Sequence, residues 1–154
     1  MQVTRVVSGG QTGADRAALD AAATLGLPYG GWCPSGGWAE DLTEPPGLLA
    51  RYPMLRETPD PDVAVRTEWN VRDSDATLVL VLSDRSVSAG TRRTVDVAEE
   101  LGRPCLVARA DDVAGVGAWL VSAAGAVLNV AGPRESEDPG VYAAAYGTLV
   151  AVLG

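Results

Sequence analysis

The sequence contains no histidine and no lysine, since all 12 of its basic residues are arginines. The absence of histidine excludes Ser-His-Asp and Cys-His catalysis. The absence of lysine excludes a P-loop lysine, a Schiff base and a lysine general base. A zinc site of the usual cysteine and histidine type is also excluded. Any chemistry must therefore come from carboxylates, hydroxyls, arginines, backbone dipoles or a bound cofactor.

Cysteine and positive charge are scarce as well. Cys33 and Cys105 are too few for a disulfide framework, and the apolar surroundings of Cys105 predict a core position. The formal net charge is −8, and the isoelectric point is near 4.4. This balance argues against a nucleic-acid partner, which requires a basic surface. An anionic ligand would have to be held by a local pocket, because the overall field repels it.

The sequence shows neither a signal-peptide pattern at its start nor an apolar run of membrane-spanning length. We therefore expect a cytoplasmic protein without a membrane partner. A chain of 154 residues can bury a substantial core, and we expect residues 1–154 to form a single domain.

Apolar β-type runs alternate with helical patterns along most of the chain. The predicted strands cover about residues 3–8, 27–30, 76–82, 105–108 and 126–130. The predicted helices cover about residues 14–25, 63–73, 90–101, 112–123 and 139–152, with Asp62 and Asp111 as caps. Strand 76–82 is apolar without alternation, which is typical of a strand buried on both faces. The pattern predicts a three-layer α/β sandwich around a mainly parallel sheet of five strands or slightly more.

Residues 31–61 interrupt this alternation, because six of the ten prolines fall there. A loop of this length inside a compact domain is usually a functional lid or a disordered linker. The segment carries apolar residues that can anchor it, among them Trp32, Trp38 and Tyr52. We therefore favour an ordered, lid-like loop over a linker.

A glycine-rich turn at residues 8–13 joins the first strand to the first helix. Glycines let backbone N–H groups approach a ligand, and a helix N-terminus adds a partial positive charge at the same point. This geometry suits a phosphate or another small oxyanion, although the turn matches neither the dinucleotide fingerprint nor a P-loop. The alternative is a tight turn that binds nothing.

Two further loops follow strands of the predicted sheet. Residues 88–92 open a helix, and residues 131–136 follow the last strand. Ligands of parallel α/β sheets bind at the carboxyl ends of the strands, so we expect these loops and the turn at 8–13 to form one pocket. Arg66, Asn70 and Asp73 share one face of the helix at 63–73. Their spacing is compatible both with a solvated hydrogen-bonded row and with a row directed at the strand ends.

With these motifs identified, the chain resembles the molybdenum carrier family. The resemblance covers nearly the whole chain and rests on residues 8–20, 30–34, 39–41, 66–75 and 129–136. It implies a Rossmann-like fold, similar to that of phosphoribohydrolases and DNA-processing proteins. It further implies binding of the molybdenum cofactor (molybdopterin) without turnover, transient contact with molybdoenzymes, and a homo-oligomer such as a dimer or tetramer. The last helix is apolar nearly all round, which also predicts a subunit interface.

The resemblance and the loop analysis together give a set of cofactor-binding residues. These are Gly9, Gly10, Gln11, Thr12, Gly13, Arg66, Asn70, Ser88, Gly90, Thr91 and Arg134. Arg134 could add charge-assisted hydrogen bonds or form a surface ion pair, and Trp69 could stack on a pterin or belong to the core. The chain departs from the family at residues 35–38, where basic residues are common, and at Ala89, where a second glycine is common.

Two other functions remain open from the sequence. Phosphoribohydrolases carry a glutamate three residues after the threonine of the second loop, but this chain has Thr94 there, and Asp96 lies on another helical face. We therefore predict no catalytic residue, since glycoside cleavage requires a placed carboxylate. The other possibility is a nucleotide-binding sensor domain that uses the same pocket. Molybdate or a nucleotide is the alternative ligand, and no metal-ligating residue is predicted.

Overall fold

Strands and helices alternate along residues 1–83 and 88–154, the part of the chain that the computed structural model describes. The strands are β1 (Arg5–Val7), β2 (Tyr29–Gly30), β3 (Trp32–Cys33), β4 (Arg56–Glu57), β5 (Ala76–Val81), β6 (Cys105–Arg109) and β7 (Val127–Ala131). The helices are α1 (Ala14–Leu25), α2 (Leu48–Arg51), α3 (Val63–Arg72), α4 (Ala89–Glu100), α5 (Val113–Ser122) and α6 (Val141–Leu153). The elements predicted from periodicity are therefore confirmed, with small shifts at their ends.

Within the described residues, five strands form one parallel sheet in the order β2-β1-β7-β5-β6. Ala76, Leu78 and Leu80 of β5 belong to the main hydrophobic cluster, which also contains residues of α1, α5 and α6. The alternate residues of β5 face the opposite way and are also buried, on the side of α3 and α4. This arrangement confirms the three-layer α/β sandwich, and β5 is buried on both faces as its continuous apolar run predicts.

The strand order determines where a ligand can bind. β1 leads to β2 on one side of the sheet, β5 leads to β6 on the other side, and β7 lies between β1 and β5. Because the two connections diverge, they leave a crevice at the carboxyl ends of the strands around β7.

The apolar character of α6 is largely accounted for within the chain. Val141, Ala145 and Leu149 are fully buried, and α6 packs on both α1 and α5. The positions that α6 exposes are small residues, such as Ala143 and Ala151. The subunit interface that the sequence suggests stays a prediction. None of the helices in the described ranges is both long and apolar enough to cross a membrane.

Residues 31–61 are more structured than a loop. β3 and β4 form a two-stranded parallel sheet, and α2 forms a single helical turn between them. Cys33, Leu48 and Tyr52 pack with Leu19 of α1 in a separate hydrophobic cluster. The sequence pattern missed these elements because strands of two residues and one helical turn are too short for any periodicity to register.

Charged and phenolic groups fasten this segment to α1. The Arg16 guanidinium donates two hydrogen bonds, of 2.9 and 2.8 Å, to the carboxylate of Asp41. The Asp20 carboxylate accepts a hydrogen bond of 2.6 Å from the Tyr52 hydroxyl and one of 2.5 Å from the Tyr142 hydroxyl. These contacts hold residues 41–52 against the helix that follows the first glycine turn.

The helix caps are partly as predicted. Asp62 caps α3, because its carboxylate accepts the N–H of Ala64 at 2.9 Å. The prediction that Asp111 caps α5 is wrong: Asp112 caps it and accepts the N–H of Gly115, whereas Asp111 pairs with Arg109. Either aspartate satisfies the sequence rule, and only the backbone geometry separates them. The sequence also predicts a polar loop over residues 83–89, and residues 84–87 of that loop lie outside the described residues.

Glycines at positive φ offer a direct test of this packing. A Cβ at Gly13 (φ +82°) would lie 2.3 Å from the carbonyl oxygen of Pro133, whereas a Cβ at Gly26 (φ +69°) would meet nothing within 4 Å. We expect Gly26→Ala to lower the free energy of unfolding by about 1 kcal/mol through backbone strain alone. Gly13→Ala adds a backbone clash, and we expect a further loss of about 2 kcal/mol.

Urea unfolding followed by tryptophan fluorescence measures both variants. Equal losses for Gly13→Ala and Gly26→Ala would contradict the close approach of the first turn to residue 133.

Candidate functional site

The carboxyl ends of β1 and β7 border a small crevice. It is lined by Gly9, Asp15, Arg66, Thr67, Asn70, Thr94, Asn129, Val130 and Ala131. Its volume is about 20 Å³, which is room for one water-sized group. The lining comes from the first turn and from α1, α3, α4 and β7, so the fold brings together segments that are far apart in sequence.

Arg66 is the buried cation of this crevice, with 9% of its surface exposed. Its Nη1 donates a hydrogen bond of 3.1 Å to the carbonyl oxygen of Gly9. A Cβ on Gly9 would lie 2.8 Å from that same nitrogen, so glycine is required for the guanidinium to reach its position. Among the described residues, no carboxylate lies within ion-pair distance of Arg66.

Asp15 is the carboxylic acid of the crevice and is 6% exposed. Burial raises its pKa to about 6, although Arg66 and the N–H groups of Gln11 and Gly132 favour the ionised form. Burial lowers the pKa of Arg66; Asp15 opposes this effect, and Arg134 adds to it. Arg66 and Asp15 therefore stabilise each other electrostatically in a poorly solvated site.

The remaining polar side chains of the crevice differ in how much of their hydrogen-bonding capacity is used. Thr94 Oγ1 donates to the carbonyl oxygen of Gly90 at 3.0 Å, and Asn129 Nδ2 donates to Thr77 Oγ1 at 3.3 Å. Both polar atoms of the Asn70 side chain bond to the backbone of Trp32: Oδ1 accepts the N–H of Trp32, and Nδ2 donates to the carbonyl oxygen of Trp32. Asn70 therefore fixes the start of the 31–61 segment at the edge of the crevice.

The glycine turn itself is packed against protein atoms. Gly13 faces the backbone of residues 133–135, and Gly10 (φ +76°) lies against Leu48 and Leu55. Thr12 joins this turn to the loop after β7, because its Oγ1 accepts the N–H of Glu135 at 3.2 Å. The space that glycine provides at these positions thus serves contacts within the chain.

Glu40 links the glycine turn to the loop after β7. Its carboxylate accepts the hydroxyls of Thr12, at 2.5 Å, and of Ser136, at 2.6 Å. Desolvation opposes ionisation of Glu40, but these hydrogen bonds outweigh it and lower the pKa. Gln11 Oε1 accepts the N–H groups of Thr12 and Glu40, whereas its buried Nε2 has no partner among the described residues.

The predicted single pocket is therefore only partly correct. The loops at 8–13 and 131–136 meet, but residues 88–92 do not line the crevice. Ser88 instead caps α4 by accepting the N–H of Thr91; Thr91 is buried, and Gly90 is exposed. α4 reaches the crevice one turn later, through Thr94.

Arg134 and the tryptophans lie outside the crevice. The Arg134 guanidinium lies 5.4 Å from the centre of the Trp38 ring and 3.8 Å from the Glu137 carboxylate. Trp69 packs edge-on against Trp32, with ring centres 4.8 Å apart, and lies under the Arg72 guanidinium. Trp69 lines a separate surface cavity between α3 and α4, so it is not placed to stack on a ligand in the crevice.

Sequence reasoning missed Asp15, Asn129 and the direct role of Thr94 in the lining. Asp15 and Asn129 both lie inside the motifs that carry the family resemblance. Their place in these motifs is the only feature of the sequence that indicates a role in the site. Their burial, and the electrostatic influence of Arg66 on Asp15, depend on contacts between distant segments that no local pattern encodes.

Comparison with known proteins identifies the family of the chain. Residues 6–153 match the model of the circularly permutated YpsA SLOG family. The chain belongs to this family. It is also similar to a crystal structure from Syntrophus aciditrophicus named "Putative molybdenum carrier protein". That similarity has 40% identity and a TM-score of 0.86, and it covers 99% of this chain and 95% of the other. Curated proteins give no match.

These matches confirm the family resemblance and the Rossmann-like α/β fold of this SLOG-family chain. In residues 1–83 and 88–154, no group of three or more histidine, cysteine, aspartate or glutamate side chains could hold a metal ion. Cys33 is fully buried in the cluster below the 31–61 segment, where burial raises its pKa to about 11.

The raised pKa of Asp15 predicts a pH dependence of stability. The folded chain holds this proton more tightly than the unfolded chain, so ionisation of Asp15 destabilises the fold. We expect the free energy of unfolding of the wild type, relative to Asp15→Asn, to fall by on the order of 3 kcal/mol between about pH 4 and pH 6. Above pH 7 the difference between the two proteins should be constant.

Urea titrations of both proteins from pH 4 to pH 7.5 measure this difference. The contribution of all other carboxylates to the pH dependence is the same in both proteins and cancels in the comparison. A difference that stays flat, or rises with pH, would show that Asp15 is not a buried acid of raised pKa.

Proposed function

We propose that this SLOG-family chain binds the molybdenum cofactor and stores or delivers it without turning it over. The cofactor is a pterin that carries a phosphate and a dithiolene-held molybdenum. The observation that carries the proposal is the buried Arg66 guanidinium, which lines the crevice and donates one hydrogen bond, to Gly9. The name of the similar Syntrophus aciditrophicus protein supports molybdenum as part of the cargo.

The charge of Arg66 explains why an anion is the expected ligand. Burying a guanidinium is unfavourable unless acceptors satisfy its N–H groups. Asp15 offsets part of its charge, but it is not in ion-pair contact with it. An oxygen of a phosphate or molybdate in the crevice would accept charge-assisted hydrogen bonds from Arg66.

A second guanidinium supports this assignment. The Arg134 guanidinium is close enough to Arg66 for their repulsion to lower the pKa of Arg66, and an anion near both would relieve that repulsion.

The size of the crevice limits what enters it. A volume of about 20 Å³ accommodates one oxygen of an oxyanion, and the remainder of the ligand must lie outside. The residues of the crevice fit the phosphate end of the cofactor and would hold it through Arg66. Molybdenum would travel as cargo on the sulfur ligands of the cofactor itself.

The proposal also includes the cellular compartment, the oligomeric state and the recipient proteins. We expect the chain to act in the cytoplasm as a dimer or tetramer and to pass the cofactor to molybdoenzymes through transient contacts. The apolar α6 supports an assembly in part: Val141 and Leu149 are fully buried within the chain, whereas its other large apolar side chains, such as Tyr146, Val150 and Leu153, are partly exposed.

Hydrolysis of nucleotides is the second candidate function, and one observation favours it. Asp15 places a carboxylic acid with a pKa of about 6 in the crevice, although Thr94 occupies the position of the glutamate of phosphoribohydrolases. Release of a free base from nucleoside monophosphates would support this function over a carrier. Tight nucleotide binding without turnover would support a sensor domain.

Arg66→Met tests the proposed site. We expect it to weaken binding of molybdenum cofactor, phosphate and molybdate at least about tenfold, since it removes the charge-assisted hydrogen bonds. Arg66→Lys keeps the charge but loses the planar donor arrangement, and we expect an intermediate affinity. Anaerobic native mass spectrometry detects the cofactor, and isothermal titration calorimetry measures the two oxyanions.

Arg72→Met is the matched control, because Arg72 lies on the same helix but is exposed and paired with Asp73. It should change the affinities less than about twofold. If Arg66→Met unfolds, the double variant Asp15→Asn/Arg66→Met removes both charges together and can be tested instead. Unchanged binding by the Arg66 variants, or no binding by the wild type, would refute the proposal.

A further inference from the structure

A second cavity lies next to the crevice, formed largely by the 31–61 segment. Its volume is about 390 Å³, within the range of small-molecule sites. It is lined by Ser35, Gly36, Trp38, Thr43, Pro45, Pro61 and Val63. The crevice alone has no room for a ring system, so this cavity bears directly on what the ligand is.

The cavity and the crevice follow one another along the same side of α3. Val63 lines the cavity, and Thr67, one helical turn later, lines the crevice. Thr67 Oγ1 donates to the carbonyl oxygen of Val63 at 3.1 Å, which connects the two sites. Residues four apart lie on one helix face, so a ligand along α3 can reach both.

Arg134 joins the two sites electrostatically. Its guanidinium lies over the Trp38 ring of the cavity, and its charge acts on Arg66 in the crevice. A ligand that spans both sites would therefore have its anionic end between two guanidinium groups and the rest of its structure beside Trp38.

The chemistry of the cavity suits a flat aromatic ring. Trp38 is half-buried, and two prolines and Val63 supply apolar walls, while the hydroxyls of Ser35 and Thr43 offer polar contacts at its edge. Among the residues that the structure describes, none with a charged side chain lines it. Stacking on a tryptophan is favourable for any heteroaromatic ring, because each such ring has a π face.

We propose that this cavity receives the planar bicyclic heterocycle of a phosphate-bearing ligand, with Trp38 as the stacking residue. This inference rests on the function proposed above and places the ring opposite the phosphate held by Arg66. A pterin and a purine share this chemistry, so the test includes both. Trp69, for which the sequence leaves open a stacking role or a core position, packs against Trp32 instead.

The test compares Trp38→Leu, which removes the ring but keeps an apolar side chain, with Trp38→Phe, which keeps an aromatic face. The probes are neopterin monophosphate, GMP and inorganic phosphate, each titrated by calorimetry. We expect Trp38→Leu to weaken binding of the ring-bearing probe about tenfold and to leave phosphate affinity within about twofold. Trp38→Phe should retain most of the affinity. Trp69→Leu is the matched control and should change neither.

The outcomes separate this inference from the proposed function. Equal losses for phosphate and for the ring-bearing probe would show that Trp38 acts only by positioning Arg134, and unchanged binding would show no stacking; either result overturns the inference. In both cases phosphate binding that depends on Arg66 would leave the proposed function intact. A selective loss for neopterin monophosphate identifies a pterin site, and one for GMP identifies a purine site.

Discussion

The buried contact between the Arg66 guanidinium and the carbonyl oxygen of Gly9 is the interaction on which the candidate site depends. It requires a residue without Cβ at position 9, and it places a largely buried cation at the carboxyl end of β1. Asp15 supplies a counter-charge from α1 without neutralising Arg66 by direct contact. In a site of low polarity such a cation strongly favours an anion that can reach it.

The 31–61 segment gives this cation its surroundings. Asn70 holds the backbone of Trp32, Glu40 joins the loops that follow β1 and β7, and Asp41 binds Arg16. These contacts tie the segment to the strand ends, and within it Trp38 lies under the Arg134 guanidinium. The negative net charge of the chain would repel anions at a distance, and the local arginines must overcome this repulsion at short range.

Much of the fold could be predicted from the sequence, because the apolar residues of long helices and strands recur in recognisable patterns. The continuous apolar run of β5 indicates burial on both faces, and the small residues of α1 indicate close packing on the sheet. The elements of residues 31–61 could not be predicted, since each is held by long-range contacts and spans only two to four residues.

The candidate site was predictable only in outline. The glycine turn and Arg66 could be named from motifs, but their contact joins residues 57 positions apart. Helical spacing alone could not decide that Asn70 is bonded to the backbone of Trp32, or that Trp69 packs against Trp32 and lines a separate cavity. Side-chain pairing across the fold determines these roles, and the local sequence does not encode it.

The most direct test is a crystal structure of the chain soaked in molybdate, with anomalous diffraction measured at the molybdenum absorption edge. We expect an anomalous peak at the mouth of the crevice, with a molybdate oxygen within hydrogen-bond distance of the Arg66 guanidinium. A peak only in another arginine-lined cavity, such as the one that Arg5 and Arg56 share with Trp32, would contradict it.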